Sequence, residues 1–160
     1  MAKRGLFQSD QSYRFAMPVL AFVYIVMQIP SAKDMLGLGK GLTTDDAMRL
    51  AEVRDLLAGQ AWYDLFQHRV LPPDGLSMHW ARYIDAPMAA FMWLVQPFVG
   101  IDMAGRLLAI VWPLSLGLVM ILMTASLTRR LFGGQAAFLA VLCIICYEML
   151  SGSGFGVGGT

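Results

Sequence analysis

Two adjacent carboxylates, Asp45 and Asp46, stand at the head of the stretch GLTTDDAMRLAEVRDLLAGQAWYD, residues 41–64. Paired acids at that spacing can supply a general base or hold a divalent cation through oxygen ligands. They can equally serve the backbone. Thr43 and Asp46 have the T-x-x-D spacing of a capping box, acids in a first turn complement the helix dipole, and Asp45 stands four residues before Arg49. The spacing alone leaves both roles open.

Further along, WYDLFQHRVLPPDGLSMHWARYIDAP, residues 62–87, is denser in polar and aromatic side chains than a connector requires. Pro72, Pro73, Asp74 and Gly75 predict a turn. Beyond it His79, Trp80, Arg82 and Asp85 cluster. Arginine there can hold a lipid phosphate, and Trp80, Arg82 and Tyr83 can as well anchor the chain at headgroup depth. His68 and His79 lack the spacing of a zinc site. No P-loop, G-x-S-x-G or dinucleotide fingerprint occurs.

The elements that must position these groups are unusually apolar. Of 160 residues 58% are hydrophobic and 14% charged, and the mean hydropathy is +0.60, so the expected class is an all-α integral membrane protein. A net charge of +1, with no zinc-finger, basic-zipper or RNA-binding signature, gives no reason to expect nucleic acid as a partner. Cys143 and Cys146 form a C-x-x-C inside a continuous apolar run, which predicts inert, buried thiols.

Residues 15–30 carry no charge and are about long enough to cross a bilayer, which needs roughly 17–25 residues. Pro18 lies early in the run and no A-x-A-like site follows, so a retained anchor is expected rather than a cleaved signal peptide. Residues 107–127, flanked by Arg106 and by Arg129 and Arg130, predict a second span. A third, over 135–150, is expected after a cytoplasmic turn at 128–134, with a glycine-rich tail at 151–160. The 87–99 stretch is too short to cross and is expected to lie in the interface.

Charge sets the orientation. With 87–99 in the interface, Lys3, Arg4, Arg14, Arg129 and Arg130 all face the cytoplasm, as the positive-inside rule favours. The amino terminus, 1–14, is then cytoplasmic and the connection 31–106 extracytoplasmic. That connection holds nine of the 11 acidic residues and both histidines. So long a loop is expected to be structured and functional. Thr43 or Thr44 as cap and Gly59 as stop predict a helix over about 44–58. Leu50, Val53 and Leu57 would form its apolar stripe, and Asp46, Arg49, Glu52 and Asp55 much of its solvated surface.

In combination these features resemble the amino-terminal part of the GT-C superfamily of integral-membrane glycosyltransferases, which take sugars from polyprenyl-phosphate donors. The resemblance rests on a short cytoplasmic start, one span, an outer loop opening with TTDDAMRL and continuing through GQAWYDLFQHRVLPPDGLSMHWARYIDAP, an interfacial helix, and a span ending in TRR. It is closest to a bacterial branch related to oligosaccharyltransferases and protein mannosyltransferases.

The resemblance implies that Asp45 or Asp46 deprotonates an acceptor while the sugar leaves a lipid phosphate. It implies that the same pair can bind Mg or Mn, and that Arg49, His79, Trp80 and Arg82 contact phosphate or sugar. It further implies a bacterial inner-membrane location, with membrane lipid and the polyprenyl-phosphate sugar as partners. Family members carry further spans beyond this length, so a carboxy-terminal part or a protein partner is expected and the 160 residues alone are expected to be inactive. The competing expectation is a non-catalytic membrane subunit or scaffold whose outer loop binds a protein or lipid. A transporter is disfavoured, because Glu148 is the one ionisable residue well within a candidate span and it stands near an end.

Overall fold

The computed structural model describes residues 10–38 and 42–151. The expected tail and most of the expected cytoplasmic amino terminus lie outside the described residues. The chain is mostly helical and divides into two compact units; of the described residues, 10–38 and 110–151 form one and 42–109 the other.

In the first unit, α1 runs Asp10–Met27 and α2 Ile29–Leu38. The ladder tightens between them, with the Gln28 amide bonded to the Ile25 carbonyl at 3.1 Å. Pro30 follows at the second position of α2, where a missing amide costs no helical bond. Helix α5 spans Ile101–Phe132, and α6 spans Gly134–Ser151.

Leu20 and Tyr24 of α1, Ile121 and Ala125 of α5, and Val141 and Ile145 of α6 form the core of this unit. Each pair is spaced i, i+4, so each helix contributes one stripe. Gly117 makes the packing of α1 on α5 feasible: a Cβ there would stand 2.0 Å from the Tyr24 hydroxyl.

Two stretches are long and apolar enough to cross a membrane, Ala16–Gly37 and Ile101–Phe132, whereas the apolar part of α6, Gly134–Leu150, is shorter. Leu116, Met120, Met123, Leu127 and Leu131 of α5 are exposed along one face that no element among the described residues covers. Cys143 and Cys146 are free and exposed rather than buried, because they fall between the stripe positions Ala137, Val141 and Ile145 that α6 turns inward.

The second unit is a helix, a small hairpin and a second helix. Helix α3 covers Thr44–Leu57 and α4 covers Arg82–Val99. Between them β1 (Phe66–Gln67) pairs antiparallel with β2 (Leu76–Ser77), with Phe66 opposite Ser77 and Gln67 opposite Leu76. These short strands flank the Pro-Pro-Asp-Gly turn.

Val53 of α3 is fully buried, as is Met92 of α4, whose inner stripe is Asp85, Met88, Ala89 and Met92. Met78, Ala104 and Leu108 complete the core. Helix α4 therefore begins at Arg82, ahead of the apolar run at 87–99, because Arg82 and Asp85 are themselves buried in its first turn. Gly100 ends it in the left-handed region at φ +82, its amide bonded to the Gln96 carbonyl at 2.9 Å, and α5 follows at once.

Candidate functional site

The chemistry-bearing residues of the second unit gather along α3 and the start of α4. At the head of α3 the capping box is complete. Asp46 Oδ2 accepts from the Thr43 amide at 3.1 Å and from Thr43 Oγ1 at 2.8 Å, and Thr43 Oγ1 accepts from the Asp46 amide at 3.2 Å. Asp46 thus spends one carboxylate oxygen on local structure.

Asp45 is exposed and, among the described residues, makes no ion pair. Its i, i+4 neighbour Arg49 turns elsewhere. The Arg49 guanidinium lies over the Trp80 ring at 4.5 Å from the centroid and donates from Nη1 to Asp85 Oδ1 at 3.2 Å. A buried carboxylate flanked by an aromatic face is the stronger attraction for a guanidinium than an exposed acid in water.

His79 packs edge-on to Trp80, with ring centroids 5.9 Å apart, and remains exposed. Arg49, Trp80 and His79 therefore form one rim, and Asp45 stands one turn before Arg49, about 6 Å along the axis of α3. His68 stands apart from this rim, exposed beside Phe66. Among the described residues no group of three or more His, Cys, Asp or Glu could hold a metal ion.

Arg82 has a different position from the one its type suggested. Its side chain is 3% exposed, and its nitrogens serve the protein. Nη2 donates to Gln60 Oε1 at 2.9 Å and to the Asp64 carbonyl, and Nη1 faces the Glu52 carbonyl at 3.4 Å and Asp85 Oδ2 at 3.6 Å. It ties the 60–64 connection and α3 to the start of α4. A headgroup anchor or phosphate ligand would instead present nitrogens at the surface. Tyr83, next to it, is exposed and meets Trp62 edge-on with centroids 5.8 Å apart.

Two acids that spacing placed on the solvated face of α3 are placed otherwise, Glu52 buried and Asp55 half-buried and paired. Glu52 is 2% exposed, a correction that follows from Arg49, Glu52 and Val53 sharing the side of α3 that meets α4. Burial, and then the nearby Asp85 charge, push its carboxyl above the usual range. Asp55 takes a two-pronged pair from Arg69, with Nη2 to Oδ1 at 2.8 Å, and a bond from Gln67 Nε2 at 3.2 Å. The Arg69 bonds hold its carboxyl below the usual range. This contact fastens the hairpin to α3.

Asp85 is fully buried between Arg49 and Arg82. Burial pushes its carboxyl up, with the two guanidiniums pulling the other way. Its one sequence signal is the i, i+3 spacing from Arg82. Gln60 and Gln67, which satisfy Arg82 and Asp55, carry none.

No family model, curated protein or solved structure matches the chain.

Proposed function

We propose that the chain is the amino-terminal membrane module of a glycosyltransferase that moves a sugar from a polyprenyl-phosphate donor to an acceptor hydroxyl or other nucleophile. In this reading α1 with α2, and α5, cross the bacterial inner membrane, and 42–109 lies on the extracytoplasmic side. Support for membrane integration comes from the exposure of the apolar α5: only 11% of its most apolar window is buried, whereas the core helix of a soluble domain is largely covered.

The observation that carries the functional reading is the division of labour at the head of α3. Asp46 caps the helix, and Asp45 keeps an accessible carboxylate one turn before Arg49, whose guanidinium lies over Trp80. Asp45 then takes the acceptor's proton as its oxygen bonds to the anomeric carbon, and the lipid phosphate leaves with the electron pair of the breaking bond. Arg49, held by Asp85 and Trp80 yet 21% exposed, faces the developing phosphate charge. His79 and the Trp80 edge border the sugar.

If the reaction uses a Mg or Mn ion, Asp45 and the Asp46 oxygen not used in the cap are the carboxylate oxygens that would hold it. Such an ion, when bound, would neutralise charge on the leaving phosphate.

The test is sugar transfer from labelled polyprenyl-phosphate donors by membranes containing the native protein, with and without Asp45→Asn. Transfer that survives the substitution removes the base assignment. A second reading, a subunit that docks on lipid or protein, draws on the exposed Trp93, Leu94 and Phe98 of α4. It predicts that Asp45→Asn leaves cell phenotype unchanged while Trp93→Ser and Phe98→Ser do not.

A further inference from the structure

In the buried cluster behind Arg49, Asp85 receives a hydrogen bond on one oxygen while Glu52 receives none. Both carboxylate oxygens of Glu52 are buried and accept no hydrogen bond. The two guanidiniums that could serve it are directed at Asp85 instead, Arg49 at 3.2 Å and Arg82 at 3.6 Å. Arg82 gives Glu52 only a backbone contact, to its carbonyl.

An ionised carboxylate out of water with no donor on either oxygen is strongly disfavoured, and a second carboxylate nearby adds repulsion. Within the cluster both cations lie against Asp85, so Glu52 is the carboxyl group less able to hold a charge. Asp55, on the same helix, repels a charge on Glu52 further, and its own cation Arg69 is spent in the two-pronged pair.

We propose that the buried, donor-less Glu52 keeps its proton in the folded protein at a pH where an exposed glutamate has lost it, and that its deprotonation loosens the packing of α3 on α4. Because Arg49 and Asp85 span that same contact, the position of Arg49 over Trp80 becomes dependent on pH. This holds whatever the rim binds.

The direction of the effect follows from linkage. An acid that keeps its proton in the folded chain and loses it in the unfolded chain stabilises the fold fully below the ordinary glutamate range. That contribution is lost as pH rises through the raised folded value. Asp55, held low by Arg69, acts at the opposite, acid end. Asp85, which burial also pushes up, acts in the same direction as Glu52 and remains in any Glu52 variant.

The experiment is denaturant unfolding of the full chain in detergent, followed by tryptophan fluorescence over a pH series from acid to alkaline. For the wild type the unfolding constant is expected to rise by up to about tenfold per pH unit while Glu52 titrates. Glu52→Gln, the neutral near-isostere, is expected to fold and to flatten that rise to the part that Asp85 contributes. Glu52→Met, which has similar length and no buried polar atom, is expected to do the same.

A wild-type profile without the rise, or a rise that is undiminished in both variants, overturns the proposal. So does failure of both variants to fold at any pH, since that outcome would require an ionised, paired Glu52.

Discussion

Arg49 of α3 donates to the fully buried Asp85 of α4 at 3.2 Å, with its guanidinium stacked 4.5 Å above Trp80. This contact joins a rim residue to the interior. Asp85 also faces Arg82, so its removal would leave a guanidinium buried without its counter-charge.

Asp85→Ala should therefore cost about 3–5 kcal/mol, the penalty of an uncompensated buried charge. Arg49→Ala should cost less, because Asp85 keeps Arg82 and the Arg49 side chain is partly exposed. Denaturant unfolding in detergent checks the order. Equal, small losses for both would show that the pair is not a structural bond.

The two acids at the head of α3 should separate under mutation. Asp46→Ala and Thr43→Ala each remove half of the capping box and should lower stability by about 1 kcal/mol. Asp45→Ala loses only its interaction with the helix dipole, about 0.3–1 kcal/mol at low salt and less at high salt. Far-UV circular dichroism during thermal unfolding reads both.

The Asp55–Arg69 pair should show itself on the acid side. Because Arg69 holds the Asp55 carboxyl low, its contribution is present at neutral pH and is lost as pH falls through that lowered value. Arg69 is 64% exposed, so screening keeps the loss in Arg69→Gln to about 0.5–1 kcal/mol. The wild type should be steeper than Arg69→Gln in its acid limb, and the difference should shrink in about 1 M salt.

Gly117→Ala should disturb the helix packing of the first unit. The new Cβ would stand 2.0 Å from the Tyr24 hydroxyl and 2.7 Å from its ring carbon, so α1 or the ring must shift. A loss of about 1–3 kcal/mol is expected from such overpacking. Tyr24→Leu in the same chain should recover part of it, which a double-mutant cycle measures.

What the sequence made legible was the chemistry that neighbours in the chain determine. The start of α3 is written in Thr43 and Asp46, three residues apart, and the Pro-Pro-Asp-Gly turn in its own four residues. The apolar runs of α1 and α5 announce themselves by length. The strands beside the turn, two residues each, were too short to leave an alternating pattern.

The interior of the site was not legible because it is made by tertiary placement. Glu52 differs from a solvated glutamate only in that α4 lies across it. Arg82 and Asp85 begin a helix without a capping side chain, and burial rather than local propensity fixes that start. Arg82 had the residue type of a phosphate ligand, and only the location of Gln60 and the Asp64 carbonyl shows where its donors go.

The most direct test of the proposed function compares Asp45→Asn with Asp46→Asn in the native protein, with sugar transfer and thermal stability measured on the same membranes. The account predicts that Asp45→Asn abolishes transfer at nearly unchanged stability, and that Asp46→Asn lowers stability while retaining more transfer. Transfer at wild-type rates in a folded Asp45→Asn protein would contradict it.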